Sequence, residues 1–364
     1  MKSSLDAHTG RRHCPKSTPH TAPKTSGPNH QHSPLRSAFA ALTLFILVTA
    51  NCSAADKPAK TLHVFLLAGQ SNMEGQAVSD LSGRDYNEGR GTLMALLQNP
   101  ATAKLAQTWR QPDGSWTRRS DVWCWYQREE RPLLAGPLSM GFSVYGDSHH
   151  FGPELEFGRV LGDALDEPVL LVKTAWGGKS LAVDFRPPSA GGQTGKYYSL
   201  MIQHLHSILK PEQITADLPE LAGLQPALAG FVWYHGWNDG VDPQKAVPEY
   251  ESNLIHLIND LRREFKTPQL PVVIGELTGP WVEAPGSWDT LRKAQASAAN
   301  HPAFRGTAVF VPTHDFVRPK EESPNPGHGH HEFGNAETYL LTGKALGTGM
   351  LQLLQPANAP KPGQ

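Results

Sequence analysis

Cysteine is scarce in this sequence, and neither sign of charge is in excess. The 364 residues include 3 cysteines, too few for a fold held together by disulfides. Lys and Arg number 33 against 34 Asp and Glu, a formal net charge of −1. This balance excludes a strongly basic nucleic-acid-binding protein and an acidic tail protein. Beyond the N-terminal region there is no apolar run of 18 residues, which excludes a polytopic membrane protein.

Residues 1–55 differ in composition from the rest of the chain. They hold six basic residues and one acidic residue, followed by an apolar run at 38–50 and small residues at 51–55. A basic flank, a short apolar stretch and small residues are typical of an export signal. We therefore expect cleavage, a periplasmic or extracellular protein and no stable membrane insertion. A retained anchor and lipid attachment at Cys52 are the less favoured alternatives. Cleavage would leave Cys124 as the only cysteine, which cannot form an internal disulfide.

Five short, continuous apolar runs predict strands that are buried on both faces. The helical patterns that lie between most of them predict βαβ units, hence a parallel sheet with helices on both sides. The predicted strands are Leu62–Ala68, Val169–Thr174, Ala229–Tyr234, Pro271–Leu277 and Thr307–Val311. The predicted helices are Pro153–Leu165, Tyr197–Leu209, Val247–Phe265, Ser287–Ala299 and Ala336–Leu354. We place this α/β domain at residues 56–355, followed by a flexible tail at 356–364.

Residues 80–150 interrupt the alternation of strands and helices. They are rich in Gly, Asp and Arg and contain four tryptophans, with a turn predicted at Asp113-Gly114. We interpret this stretch as an insertion that packs over the sheet edge or beside the site.

Polar residues and glycines follow four of the predicted strands. Ser71 stands in the turn Gly69–Gly75, Gly177-Gly178 follow the second strand, and Asn238 follows the third. A group of histidines precedes the last helix. Parallel sheets carry their sites at the carboxyl ends of the strands. Together these residues could supply a serine nucleophile, oxyanion donors and a general base.

Each of these features also has a simpler explanation. Ser71 could cap a helix, and paired glycines often form only a tight turn. The histidines at 314, 328, 330 and 331 could instead bind a metal ion, although their spacing matches no zinc motif. A third alternative is a non-catalytic carbohydrate-binding protein on an esterase scaffold, in which the tryptophans at 109, 116, 123 and 125 stack on sugar rings.

The four residue types in this order resemble the SGNH hydrolase superfamily. More narrowly, Gly69–Met73, Trp176–Ser180 and Trp233–Asp239 resemble three blocks of the sialate O-acetylesterase-like and family 6 carbohydrate esterase group, and the final His-Glu-Phe segment resembles another. The resemblance covers about residues 60–350. It implies a flavodoxin-like three-layer αβα sandwich and a carbohydrate O-acetylesterase, of which acetylxylan esterases are one kind. It also implies ester hydrolysis without a metal or other cofactor.

The resemblance also implies roles for individual residues. Ser71 would be the nucleophile, and its own N–H, a glycine of Gly177-Gly178 and Asn238 would form the oxyanion hole. His331 would be the base, with His330 as the alternative. Substrate binding is assigned to Gln70, Asn72, His235 and Arg186, although Arg186 could instead pair with a structural acid.

The acid that would orient His331 is not identified by the motif. The family commonly has Asp three residues before the histidine, where this sequence has His328. A glutamate that some relatives carry in the third block is also replaced here. We favour Asp315 as the acid, with Asp239 as the alternative and Glu332 disfavoured because it adjoins His331. An acetylated carbohydrate is the expected partner and a nucleic acid is not, while the sequence gives no indication of the oligomeric state.

Overall fold

The computed structural model describes residues 60–279 and 286–355. The predicted export signal, Cys52 and the C-terminal tail lie outside these residues. No helix in the described ranges has the length and apolar character that crossing a membrane requires.

A sheet of seven strands forms the centre of the described structure, in the order β4-β3-β6-β1-β7-β8-β9. Its strands are β1 Thr61–Gly69, β3 Val122–Tyr126, β4 Leu134–Pro137, β6 Val169–Ala175, β7 Gln225–Tyr234, β8 Val272–Gly275 and β9 Ala308–Val311. All neighbours are parallel except β4, which pairs antiparallel with β3. Two short strands, β2 Ala77–Val78 and β5 His150–Phe151, pair separately. The α/β fold with a mostly parallel sheet is confirmed.

The predicted strand number was wrong, because the sheet has seven strands and not five. Both additional strands come from the 80–150 region, so this region extends the sheet. Val122–Tyr126 is buried throughout, but it is only five residues long and follows a polar stretch. Leu134–Pro137 contains Gly and Pro, which are depleted in strands. Length and composition therefore concealed both strands.

Helices cover both faces of the sheet. They are α1 Ser71–Glu74, α2 Leu93–Gln98, α3 Ala103–Ala106, α4 Glu154–Gly162, α5 Lys196–Ile208, α6 Pro211–Asp217, α7 Trp237–Gly240, α8 Ala246–Glu264, α9 Ser287–Ala299 and α10 Ala336–Leu354. Alternate side chains of β1 enter two cores: Leu66 packs with residues of α5, α8 and α9, and Leu67 packs with residues of α4 and α10. This alternation produces the three layers, since successive strand side chains point to opposite faces.

The register of the three central strands brings their carboxyl ends together. Gly69 at the end of β1 is paired with Ala175 of β6 and with Tyr234 of β7. A side chain at Gly69 would place its Cβ 2.1 Å from the Tyr234 carbonyl oxygen, so only glycine fits there. The turns that follow β1, β6 and β7 therefore meet at one edge of the sheet.

Candidate active site

Ser71 is the first residue of the one-turn helix α1, directly beyond β1. The backbone N–H of Glu74 donates to the carbonyl of Gln70 at 2.9 Å and closes this turn. The first N–H groups of a helix have no partner within the helix, so the N–H of Ser71 is a potential anion donor. Ser71 is 8% exposed, and it therefore lies just below the surface at the carboxyl edge of the sheet.

The glycine turn after β6 lies against α1. A Cβ built on Gly177 would lie 3.6 Å from the Cβ of Ser71 and 2.9 Å from Oε2 of Glu74. Gly178 has φ +74°, and a Cβ built there would meet no atom within 4 Å. Gly177 thus faces the serine across a contact with no room for a side chain, and Gly178 lies beside open space.

Glu74 is a buried carboxyl group next to this turn. Burial raises its pKa, while the backbone N–H of Gly177, the charge of Lys173 and the hydroxyl of Tyr126 lower it in part. The Tyr126 hydroxyl donates to Glu74 Oε1 at 3.3 Å. Gly177 thus lies against the Glu74 carboxyl group, whose pKa its N–H lowers.

The turn after β7 leads into α7, which carries Asn238 and Asp239. Asn238 is partly exposed and Asp239 is fully buried. The Asp239 carboxylate accepts the N–H groups of Leu181 and Ala182 at 2.8 and 2.9 Å. Burial raises the pKa of Asp239 to about 7, although these two donors lower it. Asp239 thus fastens the chain after the glycine turn to the helix that carries Asn238.

The candidate histidines lie on a turn at Gly329–Gly334 that contacts α1. Glu332 and Phe333 in this turn have φ +51° and +54°, a left-handed conformation that non-glycine residues adopt at a cost. The Asn72 amide donates to Glu332 Oε1 at 3.0 Å. The Tyr339 hydroxyl donates to Asn72 Oδ1 at 2.8 Å. The residue after Ser71 is therefore bonded to the residue after His331.

Burial raises the pKa of Glu332 to about 7, against the lowering effects of Thr278, Arg292 and Asn72. Glu332 is 1% exposed. Because it is bonded to Asn72 of α1, it helps to hold the histidine turn in place.

The neighbours of His331 include two other imidazoles. Its ring centre lies 4.0 Å from that of His330 and 6.1 Å from that of His328. The pKa of His331 is lowered to about 3, mainly by burial and in part by His330 and His328. Among the described residues, no carboxylate forms a salt bridge or hydrogen bond with its ring. The ring is therefore neutral over the ordinary pH range.

The two acids considered for His331 have other partners. Asp315 is exposed at the surface, where its Oδ1 lies 3.2 Å from Nε2 of His314. Nδ1 of His314 lies 2.6 Å from Oε2 of Glu276. Asp239 bonds the backbone of Leu181 and Ala182, as described above. The structure brings neither carboxylate to His331.

Each residue assigned to substrate binding has a partner inside the protein. Gln70 Oε1 accepts the Gly236 N–H at 3.0 Å, and Asn72 joins Glu332 to Tyr339. His235 is 1% exposed and contacts the Lys179 carbonyl at 2.8 Å through Nε2. Arg186 pairs with Glu249 at 2.8 Å, as a residue with a structural acid would. These contacts indicate that the four residues hold the turns in place.

The four histidines considered for metal binding do not form a common site. In the part of the chain that the structure describes, no group of three or more His, Cys, Asp or Glu side chains is placed to hold a metal ion.

Sequence reasoning overlooked the buried groups that connect the motifs. Glu74 lies in the first motif, but nothing in the sequence indicated that it faces the glycine turn. Glu332 was set aside because of its position next to His331, and Tyr339 looked like an ordinary core residue. Glu332 lies between His331 and the apolar Phe333, and no local pattern marks its carboxyl group as buried.

A family model described as "Carbohydrate esterase, sialic acid-specific acetylesterase" matches residues 61–322 of this chain. The match includes the turns of Ser71, Gly177-Gly178 and Asn238, and it ends before the histidine turn. A comparison with curated proteins found no match.

Comparison with solved structures found matches at low sequence identity. A protein from Arabidopsis thaliana is 16% identical with a TM-score of 0.51, over 81% of this chain and 98% of that chain. A carbohydrate acetylesterase from Xanthomonas citri is 17% identical with a TM-score of 0.43, over 74% of this chain and 54% of that chain. The family match covers well over half of the sequence and confirms the resemblance seen in the motifs. The chain belongs to the carbohydrate esterase family of sialic acid-specific acetylesterases, and it is a carboxylic ester hydrolase.

Proposed function

We propose that this esterase removes acetyl groups from carbohydrates, with Ser71 as the nucleophile and His331 as the general base. The observation that carries the proposal is the hydrogen bond from Asn72 to Glu332. Because each of these residues directly follows one of the proposed catalytic residues, the bond holds the serine turn and the histidine turn against each other.

In the proposed reaction, the Ser71 hydroxyl oxygen attacks the ester carbonyl carbon while His331 takes the hydroxyl proton. Collapse of the tetrahedral intermediate breaks the bond to the sugar oxygen, which receives the proton from His331. Water then attacks the acetyl-serine by the same route and releases acetate. His331 is suited to accept the proton because its ring is neutral.

The oxyanion would be stabilised by the N–H of Ser71, a glycine N–H and the amide of Asn238. Since the Gly177 N–H is directed at the Glu74 carboxylate, we assign the glycine donor to Gly178. A single oxyanion donor contributes a factor of about 10² to 10³ in kcat in well-studied serine hydrolases. A rigid arrangement of these turns is therefore the main requirement of the site.

We assign the residues around these turns to positioning. Gln70 fixes the turn before α7, Asp239 joins that helix to the glycine turn, and Asn72 joins α1 to the histidine turn. His235 holds the Lys179 carbonyl after the glycine turn, and Arg186 is held by Glu249 of α8. In this proposal Asp315 has no part in catalysis, and His331 acts without a carboxylate partner.

The test measures acetate release by the protein and by its Ser71→Ala variant. The substrates are 4-nitrophenyl acetate, acetylated xylan and O-acetylated sialic acid, each with and without a chelator. We expect the variant to lose turnover on every substrate and to keep the unfolding temperature of the native protein. Ser82→Ala, at an exposed serine of the following loop, is the matched control and should retain activity. Full activity in Ser71→Ala would refute the nucleophile.

Release of no acetate from any of these substrates would refute the proposed removal of acetyl groups from carbohydrates. Activity that a chelator removes and Zn²⁺ restores would instead indicate metal-dependent hydrolysis.

A further inference from the structure

A depression of about 530 Å³ opens beside the proposed catalytic residues. It is lined by Trp237, Lys320, Pro326, Gly327, Gly329, His330 and Phe333. Trp237 directly precedes Asn238, and His330 directly precedes His331. The depression is thus bounded by the two elements that carry the proposed oxyanion donor and the proposed base. Its volume is within the range of small-molecule sites, about 300–1,000 Å³.

The indole of Trp237 is the largest aromatic surface of this depression. It is partly exposed and is supported by Trp288, whose ring centre lies 4.8 Å away. The imidazole of His330 lies 5.7 Å from it at an angle of 49°. Trp288 packs against the indole and is not one of the residues that line the depression. Two aromatic rings set at an angle therefore form a fixed corner of the depression.

The remaining lining is suited to a polar ligand without a positive charge. Gly327 and Gly329 leave the backbone accessible, and a Cβ built on Gly327 would meet no atom within 4 Å. Among the described residues that line it, Lys320 supplies the one ammonium group and none of the side chains is acidic. Backbone groups and an amine can hydrogen-bond hydroxyl groups, while aromatic faces pack against C–H groups.

A pyranose ring combines these two requirements, because it has a flat C–H face and a rim of hydroxyl groups. We infer that this depression binds the sugar ring that carries or adjoins the acetyl group, with Trp237 as the stacking surface. The inference rests on the proposed function, because Trp237 and His330 adjoin the proposed oxyanion donor and the proposed base in the chain.

The tryptophans considered earlier for sugar stacking have different roles. Trp109 is fully buried and donates to Glu156 at 2.7 Å. Trp123 is 8% exposed and belongs to a hydrophobic core. Trp125 is 5% exposed and donates to Asp217 at 2.8 Å. Trp116 packs on Arg110, outside the depression. Of the tryptophans in the described ranges, Trp237 lines the depression.

The test compares a sugar ester with a sugar-free ester. The kcat/KM of the full chain is measured on acetylated xylo-oligosaccharides, on O-acetylated sialic acid and on 4-nitrophenyl acetate. For Trp237→Ala, we expect the ratio of sugar ester to aryl ester to fall at least about tenfold, mainly through KM. Trp237→Phe should recover most of the ratio, because a phenyl ring keeps a stacking face. Trp116→Ala, the matched control, should keep the native ratio.

Two results would overturn the inference. An equal loss on all three substrates would show that Trp237 only supports Asn238, and an unchanged ratio would place the sugar elsewhere. A separate readout is the binding of deacetylated xylo-oligosaccharides and free sialic acid to the Ser71→Ala protein, measured by calorimetry. If the native protein hydrolyses no acetate, the proposed function fails, and this binding still decides the sugar site. The sugar site is refuted if the Ser71→Ala protein binds neither sugar. It is also refuted if binding persists when Trp237→Ala is added to that protein.

Discussion

The protonation state of His331 is set by burial and by neighbouring imidazoles, and no described carboxylate is bonded to its ring. Burial lowers its pKa to about 3, and the neighbouring His330 and His328 act in the same direction. A carboxylate partner would raise the pKa and strengthen the base. A base of this kind is weak, but it keeps its accepting form at acid pH.

The pH dependence of the reaction follows from this pKa. An ordinary histidine, with a pKa of about 6.5, loses its accepting form below neutral pH, whereas His331 keeps it down to about pH 3. We expect kcat/KM on 4-nitrophenyl acetate to stay level from pH 8 to about pH 5. His331→Gln should lower kcat at least about 100-fold, and His330→Gln should lower it less. An acid limb with its midpoint near pH 6.5 would contradict the assigned environment, and a greater loss in His330→Gln would transfer the role of base to His330.

At the scale of elements, the site depends on how three turns are tied together. Asn72 connects α1 with the histidine turn, and Asp239 connects α7 with the chain after the glycine turn. Both ties use buried polar side chains, whose loss leaves hydrogen-bonding groups unpaired. The turns are therefore held in a common geometry although they are far apart in sequence.

Substitution of Asp239 tests the tie between α7 and the glycine turn. Asp239→Asn keeps the shape but replaces one acceptor oxygen with an amide that faces a backbone N–H. Displacement of the oxyanion donors by about 1 Å can cost about 100-fold in rate, so we expect kcat to fall by about 10- to 100-fold with KM little changed. Asp242→Asn, at a residue that accepts the Lys245 N–H at 3.1 Å, is the control for loss of a loop carboxylate. Equal kinetics in both variants would show that Asp239 does not position the oxyanion hole.

At the scale of the whole molecule, two fully buried carboxyl groups make stability depend on pH. The pKa of Asp239 and that of Glu332 are each raised to about 7, in both cases mainly by burial. In the unfolded chain these groups titrate near about 4. Their protonated forms therefore stabilise the folded state fully below about pH 4, and this contribution is lost as the pH rises to about 7.

Thermal unfolding of the native protein and of Glu332→Gln, which cannot ionise, isolates the contribution of Glu332. Buried histidines such as His235 and His331, whose pKa values are lowered to about 3, make the folded state more stable as the pH rises and oppose the carboxyl groups. We therefore expect the unfolding temperature of the native protein, measured relative to that of Glu332→Gln, to be lower at pH 7.5 than at pH 5. The carboxylates of Asp121 and Glu249, whose pKa values are lowered by arginine partners, remain charged at both pH values and do not contribute to the change. A relative unfolding temperature that does not fall between pH 5 and pH 7.5 would contradict the raised pKa of Glu332.

Local patterns along the chain predicted most elements and every turn that carries a proposed catalytic residue. The five predicted strands and the helices Ser287–Ala299 and Ala336–Leu354 are found, because a buried strand is a continuous apolar run and an amphipathic helix repeats every 3.6 residues. Val122–Tyr126 and Leu134–Pro137 were missed because short strands in polar surroundings carry no such pattern. The positions of Ser71, Gly177, Gly178, Asn238 and His331 at strand ends or before the last helix also follow from sequence alone.

Short motifs and the hydrophobic period were sufficient to predict the family, the layered fold and the residues that occupy the turns. Which turns touch, and through which groups, is seen only in the folded protein. Glu332, Asn72 and Asp239 act on residues far away in the chain, and no local pattern reveals such contacts. Likewise, the absence of an acid beside His331 among the described residues, and the corner formed by Trp237 and His330, arise where separate elements pack together. Such contacts join residues that are far apart in sequence, and their burial and pairing arise only when the chain folds.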